Sequence, residues 1–169
     1  MVYFSSDFHL GHKAILKYRP QFSTIEDHDN AIFSQLETLT KRDQLFILGD
    51  FLFDCPDFEN YLARLSKIQA KFKLIIGNHD SLKLYSQTIA QNLMLHLPLV
   101  NYKNFWLSHC PIHEQELRGR LGNIHGHLHG SYVEDQSGST NYNYFNVNLD
   151  NNNFKLVELD TIKNYFKKD

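Results

Sequence analysis

Apolar residues follow two different rhythms in the two halves of the chain. In the first half, short apolar runs alternate with helix-periodic stretches. Val2–Ser5, Gln44–Leu48 and residues 72–76 read as buried strands. Between them, Ile25, Ile32, Leu36 and Leu39 recur at helical spacing behind Thr24, a suitable cap because Glu26 and Asp27 follow it. Phe58, Tyr61, Leu62, Leu65 and Ile68 form a second helical stripe opened by Pro56 and Asp57, and residues 81–91 read as a third helix. This β-α-β-α-β order implies parallel strands joined by crossover helices. In the second half, residues 95–100, 105–108, 142–149 and 154–159 read as strands with little helix between them. The run Asn151-Asn152-Asn153 predicts a tight turn that joins the last two as a hairpin. The polar stretch 134–141 reads as a loop.

Composition narrows the class. With 169 residues, 42% hydrophobic and 21% charged, the chain suits one globular domain over residues 1–169, and disorder is excluded. Cys55 and Cys110 are too few for a disulfide framework and read as free thiols, which suits a reducing, cytoplasmic setting. The first residues lack the basic segment of a signal peptide. No apolar run approaches the roughly 18 residues of a membrane span. The formal charge of −2 and the lack of a dense basic stripe give no strong nucleic-acid signature.

The chemistry collects behind the strands. Asp7 and His9 follow the first, Asp50 the second, and Asn78, His79 and Asp80 the third. His109 follows the 105–108 strand, and His127 and His129 follow the apolar run ending at Ile124. Ligands of open α/β sheets bind at the carboxyl ends of strands, so these residues are expected to converge. Extended alternation would place Asp7 and His9 on one side, and likewise His127 and His129. Carboxylate, carboxamide and imidazole suit Mn, Fe, Zn, Co or Ni rather than Cu(I). There are more such groups than one tetrahedral zinc takes, and their number suits two divalent ions sharing a carboxylate. Gly49, Gly77 and Gly126 stand beside them, where a missing Cβ permits close approach.

His12 lies three past His9 and His113 four past His109, both positions from which to meet a substrate. Arg118 and Arg120 precede the last histidine motif. Their planar forks suit phosphate, and solvated loop charge is the plainer reading. Arg19 and Lys13 receive that same plainer reading. His125 reads as supporting or packing, His28 and His96 as structural or solvated. Cys110 points away from the cluster if its segment is extended. Lys163, Lys167 and Lys168 read as a solvated helix face.

The segments Asp7-x-His9, Gly49-Asp50, Gly77-Asn78-His79-Asp80, His109 and Gly126-His127-x-His129 resemble, in order, the five motifs of the calcineurin-like metallophosphoesterases. A closer similarity to small phage and bacterial members rests on residues 7–13, Tyr18-Arg19-Pro20 and residues 144–150. The resemblance implies an α/β fold, a four-layer α/β/β/α sandwich with a dinuclear metal site at the strand ends. It also implies that Asp7, His9, Asp50 and His129 hold one ion, and that Asn78, His109 and His127 complete the second. Asp50 would bridge, and His79 would face the substrate. A bridging hydroxide would then attack a phosphoester in line, with His79 protonating or stabilising the leaving oxygen. Many family members place Asp or Asn and then Arg after the bridging Asp. Here Phe51-Leu52-Phe53-Asp54-Cys55 follows, without Arg. The reading is a metal-dependent phosphohydrolase, first of all a phosphodiesterase, with manganese as the first metal to try and a phosphoester substrate such as a nucleotide. The alternatives are a nuclease on short or single strands, a phosphomonoesterase and a non-catalytic scaffold.

Overall fold

Two sheets pack face to face, and two helices cover the outer face of the first. The computed structural model describes residues 1–81, 83 and 92–167. The helix predicted over 81–91 lies almost wholly outside them, as does Lys168. The strands are β1 (Val2–Ser5), β2 (Gln44–Leu48), β3 (Lys71–Ile75), β4 (Leu93–His96), β5 (Leu99–Tyr102), β6 (Phe105–Ser108), β7 (Gly122–His125), β8 (Tyr144–Asn146) and β9 (Val157–Glu158). The helices are α1 (Ile25–Leu36), α2 (Phe58–Ser66) and α3 (Leu159–Tyr165). Short 3-10 turns occupy Lys13–Lys17, Glu114–Leu117 and Leu149–Asn151.

The first sheet has the order β4-β3-β2-β1-β9, parallel throughout except for β9, and the second the order β5-β6-β7-β8. The parallel β1–β2–β3 core is the crossover arrangement that the sequence predicts. Alternation sorts its side chains between two cores. Leu45, Ile47, Phe72 and Leu74 pack with Phe33 and Leu36 of α1 and Leu62 and Leu65 of α2. Phe4, Phe46, Leu48 and Ile75 face the other way and pack against Phe105, Leu107 and Ile124 of the second sheet. Thr24 caps α1 as expected, its Oγ accepting the Asp27 N–H at 3.0 Å. Lys163 lies half-buried on α3 and pairs with Asp160.

Two expectations are corrected. The single strand over 95–100 is two, β4 and β5, in different sheets. Leu97 and Pro98 separate them, and proline donates no ladder hydrogen bond. The terminal hairpin does not form: β8 pairs with β7 in the second sheet, whereas β9 pairs with β1 in the first. The asparagine turn exists, but the Asn152 side chain ties it back to the carbonyls of Asn146 and Asn148 at 2.9 and 2.7 Å. Asn153 and Phe154 then take left-handed φ of 52 and 57°, and the chain crosses between the sheets.

Candidate metal centre

Loops at the carboxyl ends of β1, β2, β3, β6 and β7 carry the residues singled out in the sequence. Five of them, Asp7, His9, Asp50, His127 and His129, have left-handed backbones with φ between 49 and 70°. Extended alternation is therefore not what aims the Asp7–His9 and His127–His129 pairs. Each member turns sharply, at roughly 1–2 kcal/mol per residue. Backbone bonds hold the turns: Asp7 N–H donates to Gly49 O at 2.9 Å and His9 N–H to Asp50 O at 2.8 Å. His127 N–H donates to the Asp7 carboxylate at 3.0 Å. Gly49 is left-handed as well, and a Cβ there would collide with the His109 ring. One on Gly126 would collide with Ser6 and the Asp7 carboxylate.

The polar atoms so gathered are mostly acceptors. His109 Nδ1 lies 2.8 Å from the Leu48 carbonyl, so that nitrogen is spent as a donor to the backbone and Nε2 is the atom turned toward the cluster. That Nε2 is 2.9 Å from Asn78 Oδ1, 3.2 Å from His127 Nδ1 and 3.4 Å from Asp50 Oδ1. His9 Nε2 is 3.7 Å from Asp50 Oδ2, and His129 Nε2 is 3.9 Å from Asp7 Oδ1. Asp7 Oδ1 and His9 Nε2 are buried without a hydrogen-bond partner. Lone pairs facing lone pairs out of water are costly unless a cation lies between them. Among the described residues, three triads bring ligand atoms within 4.8 Å of one another: Asp7–His9–His129, Asp7–Asp50–His109 and His109–Cys110–His127. Asp7 and His109 each belong to two, so the triads form a continuous row suited to divalent metal.

Charge and burial shape the row. Burial pushes His9 down to about 3, against the pull of Asp50. It also raises the Asp7 carboxyl. Burial opposes the charge of Asp50 and of His109 too, but their mutual hydrogen bond and attraction prevail. Asp50 is held at about 2 and His109 at about 9.

A second layer holds the row, and sequence reasoning missed it. His129 Nδ1–H donates to Asp150 at 2.9 Å. Asp150 in turn accepts two bonds from Arg19, from Nε at 2.8 Å and Nη2 at 3.0 Å. Arg19, read above as a solvated charge, is fully buried. It also donates to the carbonyls of Asp7 at 2.7 Å and Phe8 at 3.3 Å, and lies 2.7 Å from His28 Nε2. His28 Nδ1–H donates to Asp29, which accepts the Tyr61 hydroxyl and the Gly11 N–H. Asp80 is the other hidden member: its carboxylate accepts the backbone N–H groups of Asp50, Phe51, Leu52 and Gly77 at 2.6–3.0 Å. Arg19 and Asp150 do stand in the segments that carry the closer resemblance, but only folding shows that they meet.

His79 is exposed and belongs to none of the triads. Its N–H donates to Asp50 at 2.8 Å, and its ring centre lies 5.4 Å from His9 and 5.8 Å from His12. His12 stacks on Phe53 with centroids 4.3 Å apart. His9, His12, His79 and His129 line one cleft. His113, Arg118 and Arg120 are not among its lining residues. His113 accepts the Gln115 N–H, Arg118 pairs with Glu116 at 2.9 Å, and Arg120 donates to Asn104. His125 is buried and donates to the Gly126 carbonyl at 2.8 Å. Cys110 does not point away: its segment bends, and the thiol joins the His109–His127 triad.

No described helix is long and apolar enough to cross a membrane. The chain is 27% identical over 171 aligned positions to an uncharacterized protein of Methanocaldococcus jannaschii, covering 99% of this chain and 92% of that one. It is 31% identical over 80 positions to the Gene 66 protein of Mycobacterium phage L5, covering 46% and 39%. A crystal structure of a protein of unknown function from Aquifex aeolicus superposes with a TM-score of 0.70 at 25% identity, covering 97% of this chain and 98% of that one. The model of the calcineurin-like phosphoesterases matches residues 1–168. With that match along its length, and with a row of divalent-metal donors at the strand ends, the chain belongs to the calcineurin-like phosphoesterase family of metal-dependent hydrolases.

Proposed function

We propose that the protein is a dinuclear phosphodiesterase. The observation that supports this most directly is the row of overlapping triads with shared members and unpartnered lone pairs. In this reading Asp7, His9, Asp50 and His129 hold one ion, and Asp50, Asn78, His109 and His127 hold the other. Two divalent ions held there would supply Lewis acidity towards water and the phosphoryl oxygens. The chain's own residues do the rest. Asp50, anchored through Asp80's grip on its loop, spans the two positions. Asp150 and Arg19 fix the tautomer and direction of His129. His79, exposed on the cleft and outside the triads, donates a proton to the leaving oxygen. His12 lines the same wall and contacts the phosphoryl group. The helix layer and the paired sheets supply three layers of a four-layer α/β/β/α sandwich, built as a single domain over residues 1–169. Two free cysteines suit the cytoplasm.

The test is turnover by protein stripped of metal and reloaded with Mn²⁺. Initial rates are compared on bis-p-nitrophenyl phosphate and p-nitrophenyl phosphate, with Asp50→Asn as the blank. Metal-dependent diester turnover that the blank lacks by at least ~100-fold is expected. Preference for the monoester would make the protein a phosphatase, and two bound ions without turnover of either ester would make it a scaffold. His79→Ala is expected to keep its metal content and lose turnover. Loss of metal in that variant would make His79 a ligand.

A further inference from the structure

The imidazoles that face the substrate form only one wall of their cleft. The cavity measures about 1070 Å³, at the upper end of small-molecule sites. Away from His9, His12, His79 and His129 it is lined by Ile15, Tyr18 and Gln21 and by Leu149, Asn153 and Phe154. These two stretches, 15–21 and 149–154, are far apart in sequence. The Arg19–Asp150 pair beneath them ties them together.

Three features describe what this end of the cleft accepts. The first is aromatic surface. Tyr18 is 78% exposed, a large ring left open to water where a flat ligand would cover it. The Phe154 ring is fixed by Phe22 at 4.9 Å and the Arg19 guanidinium at 5.3 Å. The second is charge. No lysine or arginine is among the described lining residues, whereas the Asp150 carboxylate is. Arg19 spends its N–H groups on Asp150, His28 and the Asp7 and Phe8 carbonyls. An additional phosphate would therefore find no free cation among the described lining residues, and the Asp150 charge is already paired with Arg19 and His129. The third is hydrogen bonding: Gln21 and Asn153 bring exposed amides, donor and acceptor together, suited to the edge of a heterocycle.

We propose that this subsite takes an uncharged planar aromatic substituent of the substrate, of nucleobase or aryl type, while the phosphorus it esterifies sits against the imidazole wall. The proposal rests on the phosphoesterase reading of that wall and adds its selectivity: one phosphate with a neutral ring, rather than a polyphosphate or a nucleic-acid strand.

The experiment uses Mn²⁺-loaded full chain and p-nitrophenyl diesters that share one leaving group. The second substituent is methyl, phenyl, 5′-thymidyl or 5′-thymidyl with a 3′-phosphate. The phenyl and thymidyl esters are expected to exceed the methyl ester in kcat/KM about tenfold, the value of one ring stacked on an aromatic side chain. The 3′-phosphate should remove that gain. Tyr18→Ala should lower the aromatic esters about tenfold more than the methyl ester. Gain for thymidyl alone would identify a nucleoside site, and gain for both a general aryl site. Equal rates for methyl and aromatic esters, or a faster 3′-phosphorylated substrate, would overturn the proposal. Calorimetric binding of phenylphosphonate and methylphosphonate separates it from the hydrolase reading. Without turnover, tighter phenyl binding that Tyr18→Ala abolishes would leave the subsite standing and remove the hydrolase. Equal binding would remove the subsite whatever the turnover.

Discussion

Asp150 makes a sharp test at the scale of single residues. Burial works against its charge, yet His129 and Arg19 hold its carboxyl well below the usual carboxylate range. Asp150→Asn keeps the shape but no longer fixes His129 Nδ1 as a donor. Loss of such a supporting carboxylate typically costs 10–100-fold in metal affinity, and a drop of that size in Mn²⁺ affinity by calorimetry is expected. An unchanged affinity would show that His129 needs no orienting partner. His125 predicts a pH effect in metal-free protein. Burial lowers its pKa to about 4, although the Gly126 carbonyl favours its proton. The unfolded chain binds a proton near the ordinary 6.5 and the folded chain only near 4, so stability falls as pH drops through that window. The contribution is of order 3 kcal/mol by pH 4. Urea titrations at pH 7 and 4.5 should show a smaller loss for His125→Gln than for the parent. His9, pushed down to about 3, adds to the same trend.

Asp80 joins the loops that follow β2 and β3. Its carboxylate holds three consecutive N–H groups beyond β2 and one beyond β3, so it fixes where Asp50 points. Asp80→Ala strands those donors and should cost about 3 kcal/mol or more in denaturant unfolding, with loss of metal retention. A loss of only about 1 kcal/mol with the metal retained would mean that these bonds do not set where Asp50 points. The sequence shows Asp80 next to His79 but not that its reach is backward, to the loop after β2, across thirty residues of chain.

Arg19 acts at the scale of the whole molecule. It joins residues 131 positions apart, tying the start of the chain to the loop between β8 and β9. That loop crosses from the second sheet to the first, and the bridge between Ser6 and Asn148 lies beside it. Arg19→Leu leaves the partly exposed Asp150 carboxylate without its cation and the Asp7 and Phe8 carbonyls without their donor, and a cost of about 1–3 kcal/mol is expected. Combined with Asp150→Asn, the loss should be clearly less than the sum of the two single losses, because both act on one pair. Strict additivity in urea unfolding would mean that the pair is not coupled.

The residue types and their order settle a good deal without any coordinates. The alternation of apolar runs and helical stripes sets the parallel β1–β2–β3 core, because side-chain period is a local property of the backbone. The donors behind each strand announce a metal, because ligand chemistry belongs to the residue. Partnership between distant segments is not local, and only the tertiary structure decides it. The repeated asparagines after β8 suggest a hairpin, but burial of Val157 and Leu159 between the sheets takes β9 to β1 instead. Arg19 is indistinguishable from a solvated charge until folding buries it against Asp150. The left-handed turns at Asp7, His9, Asp50, His127 and His129 carry no glycine signature. Their strain is sustained by hydrogen bonds from neighbouring loops, within the first sheet for Asp7 and His9 and across the two sheets for His127, which exist only once the strands are assembled.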